Sequence, residues 1–187
     1  VSAPIALVDA TMLDGGPSGA ATRLAALGAE HAARGRWQLV HLVRPGLDPL
    51  PGLRCEPFAR ADTPLRRALS GARLEALARR LDAAVLQAGA LPLPRVRSVP
   101  LLLTVHDLRW LRPDAPRLRR LWVATALPRN LARAARLVAV SRATAAGLQH
   151  AGLATPGRVA LVPNAGTPGL QRAEPDCIAD LRRRLGL

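Results

Sequence analysis

Short apolar runs recur along the chain, at Ile5 to Val8, Leu39 to Val43, Ala83 to Leu86, Leu101 to Val105, Leu137 to Val140 and Val159 to Val162. They lack the apolar/polar alternation of a half-exposed strand, which is what parallel strands covered on both faces require. A further short strand is expected at Leu53 to Phe58. Helical patterns fill the gaps. Between Ser18 and Arg34 a stripe of Leu24, Leu27 and His31 forms, and Gly35 stands where a left-handed residue ends a helix. From Pro64 to Leu81 the inner face is Leu74, Leu77 and Leu81, with Arg66, Arg67, Arg73, Arg79 and Arg80 turned mostly outward. From Pro116 to Ala135 the spacing groups Leu118, Leu121, Trp122 and Thr125, and Pro128 removes a backbone donor, predicting two helical pieces. Ser141 opens a last helix that runs to about His150 and ends at Gly152.

Strands alternating with helices are the mark of βαβ winding. The fold class predicted is therefore α/β, a Rossmann-like parallel sheet with helices on both faces. Residues 163–169 are rich in proline and glycine and have the character of a linker, and Cys177 to Leu185 begins another helical pattern with no strand after it. The expected organisation is a Rossmann-like domain over 1–165, then a linker and the start of a second unit over 166–187, so that the chain has the look of a truncation.

Composition narrows the class. A chain of 187 residues holds one well-buried core, and 49% apolar against 21% charged residues excludes a disordered polymer. Arginine supplies all 27 basic residues against 13 acids, giving a net charge of +14. Such a field attracts anionic surfaces, although many arginines would simply be solvated helix faces. Specific nucleic-acid binding is disfavoured because the aromatic residues, Trp37, Phe58, Trp110 and Trp122, form no stacking motif. A basic module resting on anionic lipid through Arg66, Arg67, Arg117, Arg119 and Arg120 is the alternative to an enzyme. Trp110 and Trp122 are expected to pack beneath the cleft loop and against the sheet. Cys55 and Cys177 have neither metal-ligand nor disulfide spacing, so no metal is expected and a reducing cytosol is the simplest compartment. No apolar run approaches the ~20 residues that span a bilayer, which leaves peripheral contact as the expected form of any membrane association.

Two segments carry candidate chemistry. The first strand is followed by Asp14-Gly-Gly-Pro-Ser-Gly19, where Gly16 and Gly19 would let backbone approach a ligand beside the free amides of a helix start. The same glycines could simply make a tight turn. A Rossmann-type dinucleotide site asks for G-x-G-x-x-G and an acid at the end of the second strand; this chain has Arg44-Pro45 there. The second segment is Thr104-Val-His-Asp-Leu108, with His106 and Asp107 just beyond a long apolar strand. That edge of an open α/β sheet is where ligands bind. An imidazole there can orient or deprotonate a hydroxyl, and a carboxylate can accept a hydrogen bond from a sugar or hold a charged neighbour. A structural cap is the plainer role for such a pair.

These runs, together with Pro128 to Ser141 and Arg158 to Asn164, resemble in order and spacing the acceptor-side N-terminal domain of family-four glycosyltransferases, enzymes of the two-domain GT-B fold. The resemblance implies a retaining, metal-independent transfer of a sugar from a nucleotide-sugar donor, with no further cofactor, to an acceptor sugar or a lipid-linked acceptor. It implies that Gly16 and Gly19 border the cleft, that His106 faces the acceptor and the transferred sugar, that Ser141 begins a cleft-lining helix, and that Asn164 belongs to the interdomain linker. Gln87 stands where relatives often carry histidine, and it can hydrogen-bond there but cannot act as a base. Asn164 continues into Ala165-Gly-Thr-Pro168, away from the family's usual linker. The family's donor-binding C-terminal half, with its paired glutamates and basic residue for the diphosphate, has no counterpart in the chain, so this polypeptide is expected to be inactive alone.

Overall fold

A computed structural model describes residues 3–13, 18–46, 52–59, 64–111, 116–164 and 172–187; the side chains at 64–69 and 119 lie outside what it describes. Seven strands, β1 (Ile5–Asp9), β2 (Gln38–Val43), β3 (Arg54–Pro57), β4 (Ala83–Ala88), β5 (Leu101–Val105), β6 (Arg136–Ala139) and β7 (Val159–Leu161), form one sheet in the order β3-β2-β1-β4-β5-β6-β7. All the pairings are parallel, with Leu7 beside Val40 and Leu86, and Leu103 beside Leu137. Among the described residues five α-helices accompany them: α1 (Gly19–Arg34), α2 (Pro64–Arg80), α3 (Arg117–Ala132), α4 (Arg142–His150) and α5 (Pro175–Leu185).

The strand order reverses between β1 and β4. Right-handed crossovers then put α1, which winds toward β2, on one face and α2, α3 and α4, which wind the other way, on the opposite face. The second face holds the main core. Leu7, Leu42, Leu86, Leu103 and Leu137 from the sheet meet Leu74, Ala78, Leu127, Leu131 and Leu148 from the helices, all buried. Each leucine so buried contributes about 1.5–3 kcal/mol before conformational entropy is set against it. α1 shields its own face only in part, leaving Val85 and Leu102 half-buried.

The helix ends follow the residue types. Ser18 caps α1 by accepting the Ala21 amide at 3.1 Å, and Gly35 ends it at φ 62°, a left-handed conformation that costs an L-residue side chain steric strain. Loops are pinned by side chains. Glu75 of α2 accepts the Arg97 amide at 2.7 Å and the Ser98 amide at 3.3 Å, tying the segment before β5 to the helix. Those amides, Arg97 foremost, hold its carboxyl down at about 2 against the opposing effect of burial. Asn130 of α3 accepts the Leu93 amide at 3.1 Å, which fixes the segment after β4.

Two expectations about α3 fail. It runs unbroken through Pro128. Proline takes away one amide, the partner of the Ala124 carbonyl, and the turns on either side are held by added side-chain bonds, Thr125 Oγ1 donating to the Leu121 carbonyl at 2.7 Å and Asn130 Nδ2 to that of Ala126 at 2.9 Å. The inner face is also different. Trp122, Val123, Leu127 and Leu131 turn inward, while Leu118 is 83% and Leu121 61% exposed and Thr125 faces solvent. Nine positions at 100° each put Leu118 on the side opposite Leu127, and the longer apolar row wins the core. Among the described residues no helix is long and apolar enough to cross a membrane.

Candidate functional site

In an open parallel sheet the carboxyl ends of the two strands flanking the order reversal diverge and leave a crevice. Here those strands are β1 and β4, and a cleft of about 720 Å³ opens above them. Met12, Gly19 and Ala20 follow β1, Gly89 to Leu91 follow β4, and His106, Asp107, Arg109 and Trp110 follow β5, with Trp122 of α3 and Asn164 beyond β7 completing the wall.

His106 is half-buried in this wall. Burial pushes its imidazole below the ordinary histidine range, the Arg23 guanidinium pushes the same way, and the Asp107 carboxylate opposes both. The ring is therefore neutral at pH 7, with one nitrogen free to accept a proton. Gly89 lies beside this ring: a Cβ there would stand at ordinary contact distance from Nε2, 3.9 Å, and tightly against Met12 Sδ, 3.3 Å. Asp107 is already engaged. One oxygen accepts the Arg109 amide at 3.0 Å and the other the Arg109 Nε at 2.8 Å, closing the short 3-10 turn Arg109–Leu111. Of the two roles open to this carboxylate, the structure gives it the charged neighbour.

Arg23, on the second turn of α1, reaches across the molecule to the segment after β7. Its Nη1 donates to Asn164 Oδ1 at 2.5 Å and its Nη2 to the Val162 carbonyl at 3.4 Å, while its buried Nε has no partner. With Oδ1 turned toward Arg23, the Asn164 amide nitrogen is left for the cleft, so this wall offers donors.

The structure thus brings together Gly19, His106, Asp107 and Asn164, four of the residues singled out from sequence. Gly16 lies outside the described residues. Two others sit elsewhere. Gln87 is not a cleft residue: Leu86 and Ala88 face the main core, so strand alternation turns Gln87 to the α1 side, where it donates to Thr104 Oγ1 at 3.1 Å and lines a separate cavity. Ser141 caps α4, accepting the Thr144 amide at 3.0 Å and meeting Thr144 Oγ1 at 2.9 Å, and does not line the cleft. Trp110 and Trp122 both pack partly on the core and line the cleft. Sequence reasoning missed Met12, Arg23, Gly89 and Arg109. Only the close spacing of Arg109 to Asp107 was there to find; the others meet the site through the fold. Arg44, at the end of β2 where a dinucleotide site wants an acid, spends its Nε on the Thr11 carbonyl at 2.7 Å.

A seven-stranded parallel sheet wound about one reversal point, with its cleft there, is the Rossmann-like half of a GT-B fold. The profile of Glycosyltransferase Family 4 matches residues 17–165, and the chain belongs to that family. Among solved structures it is similar to a glycosyltransferase from Rickettsia africae ESF-5, with a TM-score of 0.63, 10% identity, and coverage of 100% of this chain and 50% of that one. It is also similar to a UDP-N-acetylglucosamine 2-epimerase from Rickettsia bellii, with a TM-score of 0.57, 9% identity and coverage of 100% and 48%. The chain spans about half the length of these proteins, and at such identities the likeness is one of fold. No curated protein sequence is a significant match.

Proposed function

We propose that this chain is the acceptor-side domain, residues 1–165 with a linker and the beginning of a second unit over 166–187, of a retaining, metal-independent glycosyltransferase. The donor is a nucleotide sugar and the acceptor a sugar or lipid-linked hydroxyl. In the transfer, the acceptor oxygen forms the new glycosidic bond as the bond between the anomeric carbon and the diphosphate oxygen breaks, the diphosphate leaving with the bonding pair and the hydroxyl proton passing to the His106 imidazole. The observation that carries the reading is His106: a neutral imidazole, half-buried at the wall of the reversal-point cleft, able to hydrogen-bond the acceptor hydroxyl. Gly19 borders the same cleft at the start of α1, and the Asn164 amide offers a donor to a ligand oxygen.

The diphosphate leaves with growing negative charge, and groups aimed at that charge contribute the largest part of such catalysis. In this reading they belong to a C-terminal donor-binding half, so the isolated chain transfers no sugar. Robust transfer by residues 1–187 from any sugar nucleotide would overturn that. In a complete enzyme, His106→Ala should lower kcat by about 10²–10⁴-fold with an unchanged melting temperature. Unchanged turnover would remove the histidine from the site.

A further inference from the structure

The exposed face of α3 has a composition that a solvated helix does not need. Leu118 and Leu121, one turn apart and 83% and 61% exposed, stand together on it. Arg117 and Arg120, both exposed, sit between and beside them, and the whole helix carries four arginines and no carboxylate. The amino-terminal end of α3 adds its own positive dipole end. This face adjoins the cleft: Trp122, the next residue after Leu121, lines it, as do Arg109 and Trp110 of the turn on which α3 packs.

We propose that the first turns of α3 rest on an anionic lipid bilayer, with Leu118 and Leu121 entering the headgroup boundary and Arg117 and Arg120 meeting lipid phosphates, which holds the mouth of the cleft at the membrane surface. Charge complementarity selects this occupant. A protein partner would need about 800 Å² from each side of a stable interface, far more than two leucines supply. Single-stranded nucleic acid would need exposed aromatic faces to stack on, and this face presents aliphatic side chains. Leucines set among arginines on one helical face are what an interfacial helix requires. That the acceptor is itself borne by a lipid rests on the glycosyl-transfer reading; the bilayer contact does not, and its test involves no transfer.

The test is cosedimentation of residues 1–187 with vesicles of phosphatidylcholine alone or mixed with phosphatidylglycerol, at low and high salt. The chain should partition onto the anionic vesicles only, and salt should weaken it. Leu118→Ser with Leu121→Ser should lower partitioning about tenfold or more, and Arg117→Gln or Arg120→Gln about fivefold each. Because all four side chains are exposed, the melting temperature should not move. Leu181→Ser with Leu185→Ser, on the likewise exposed face of α5, should leave partitioning unchanged. The proposal is overturned by equal binding to neutral vesicles, by no binding, by a leucine variant that binds like the parent, or by loss of binding in the α5 variant. It is overturned equally if the α3 leucines prove to drive self-association in sedimentation without vesicles, which would make a second copy the occupant.

Discussion

His41 supplies a sharp test of how the sheet is built. It lies in the middle of β2 with 0% exposure, among Ala6, Val8, Leu24, Leu27 and Trp37 around a cavity of about 230 Å³, and neither ring nitrogen makes a well-formed hydrogen bond, although the Arg54 backbone lies near enough to favour its protonated form weakly. A neutral imidazole carries one N–H donor and one acceptor, and an unsatisfied buried group costs about 1–3 kcal/mol. Leucine is close in volume and brings no polar atom. His41→Leu should therefore stabilise the fold by about 1–3 kcal/mol at neutral pH, and each kcal/mol in a chain of this size raises Tm by about 2–4 °C.

The gain should also depend on pH. Burial pushes the His41 pKa below its ordinary 6.5, outweighing a weaker opposing influence of the Arg54 backbone. As pH falls through about 6.5 the unfolded chain takes up a proton at His41 that the folded chain refuses, so below that point the parent suffers a loss of stability that the leucine variant is spared at this position. Urea unfolding of both proteins at about pH 7.5 and about pH 5.5 should show a gap that favours the variant and widens in acid. A variant less stable than the parent at the higher pH would mean that the ring is satisfied by water inside the cavity, and the argument from an orphaned imidazole would fail.

Two further substitutions probe the cleft. Arg23→Gln removes a positive charge that disfavours protonation of His106, so the His106 ring should titrate at a higher pH in an NMR titration of the chain; an unmoved midpoint would show that the guanidinium exerts no field there. Gly147→Ala places a methyl on α4 where it overlaps Leu108 Cδ1, just past the His106-Asp107 pair. Overlap costs about 1–3 kcal/mol and the gain in helix propensity is up to about 1 kcal/mol, so a net loss of about 1 kcal/mol is expected in denaturant unfolding, relieved by Leu108→Ala; a net gain would refute the contact.

The sheet was legible because parallel burial leaves a local signature. Every expected strand formed, since runs such as Leu101 to Val105 satisfy both faces at once. Caps were legible for the same reason, Gly35 and Ser141 acting within a few residues of themselves. The inner side of α3 was not, because two apolar rows compete there and only the packing of Leu127 and Leu131 on the sheet decides between them. Gln87 was not legible as a residue of the α1 side: the apolar run stops at Leu86, but the strand continues to Ala88 and holds Gln87 out of phase with Leu86 and Ala88, whereas His106 lies beyond its strand's end and escapes that alternation. The Arg23 to Asn164 bond spans 141 positions and leaves no trace in local pattern.

That long-range bond explains why the site is more than a histidine at a strand end. A wall at a strand-order reversal offers amides by default, and this one adds Arg109 and the Asn164 amide group. Its carboxylate, Asp107, pairs with Arg109, and His106 brings an imidazole to the same wall. Arg23 acts twice on that arrangement: it engages the Asn164 oxygen, leaving that side chain its amide donors, and disfavours a charge on His106. Donors from Arg109 and Asn164 beside an uncharged imidazole suit the oxygen-rich ligand of the proposed transfer. The guanidiniums of Arg23 and Arg109 beside the cleft disfavour a cationic ligand, a polarity in keeping with the sugar and diphosphate chemistry proposed above.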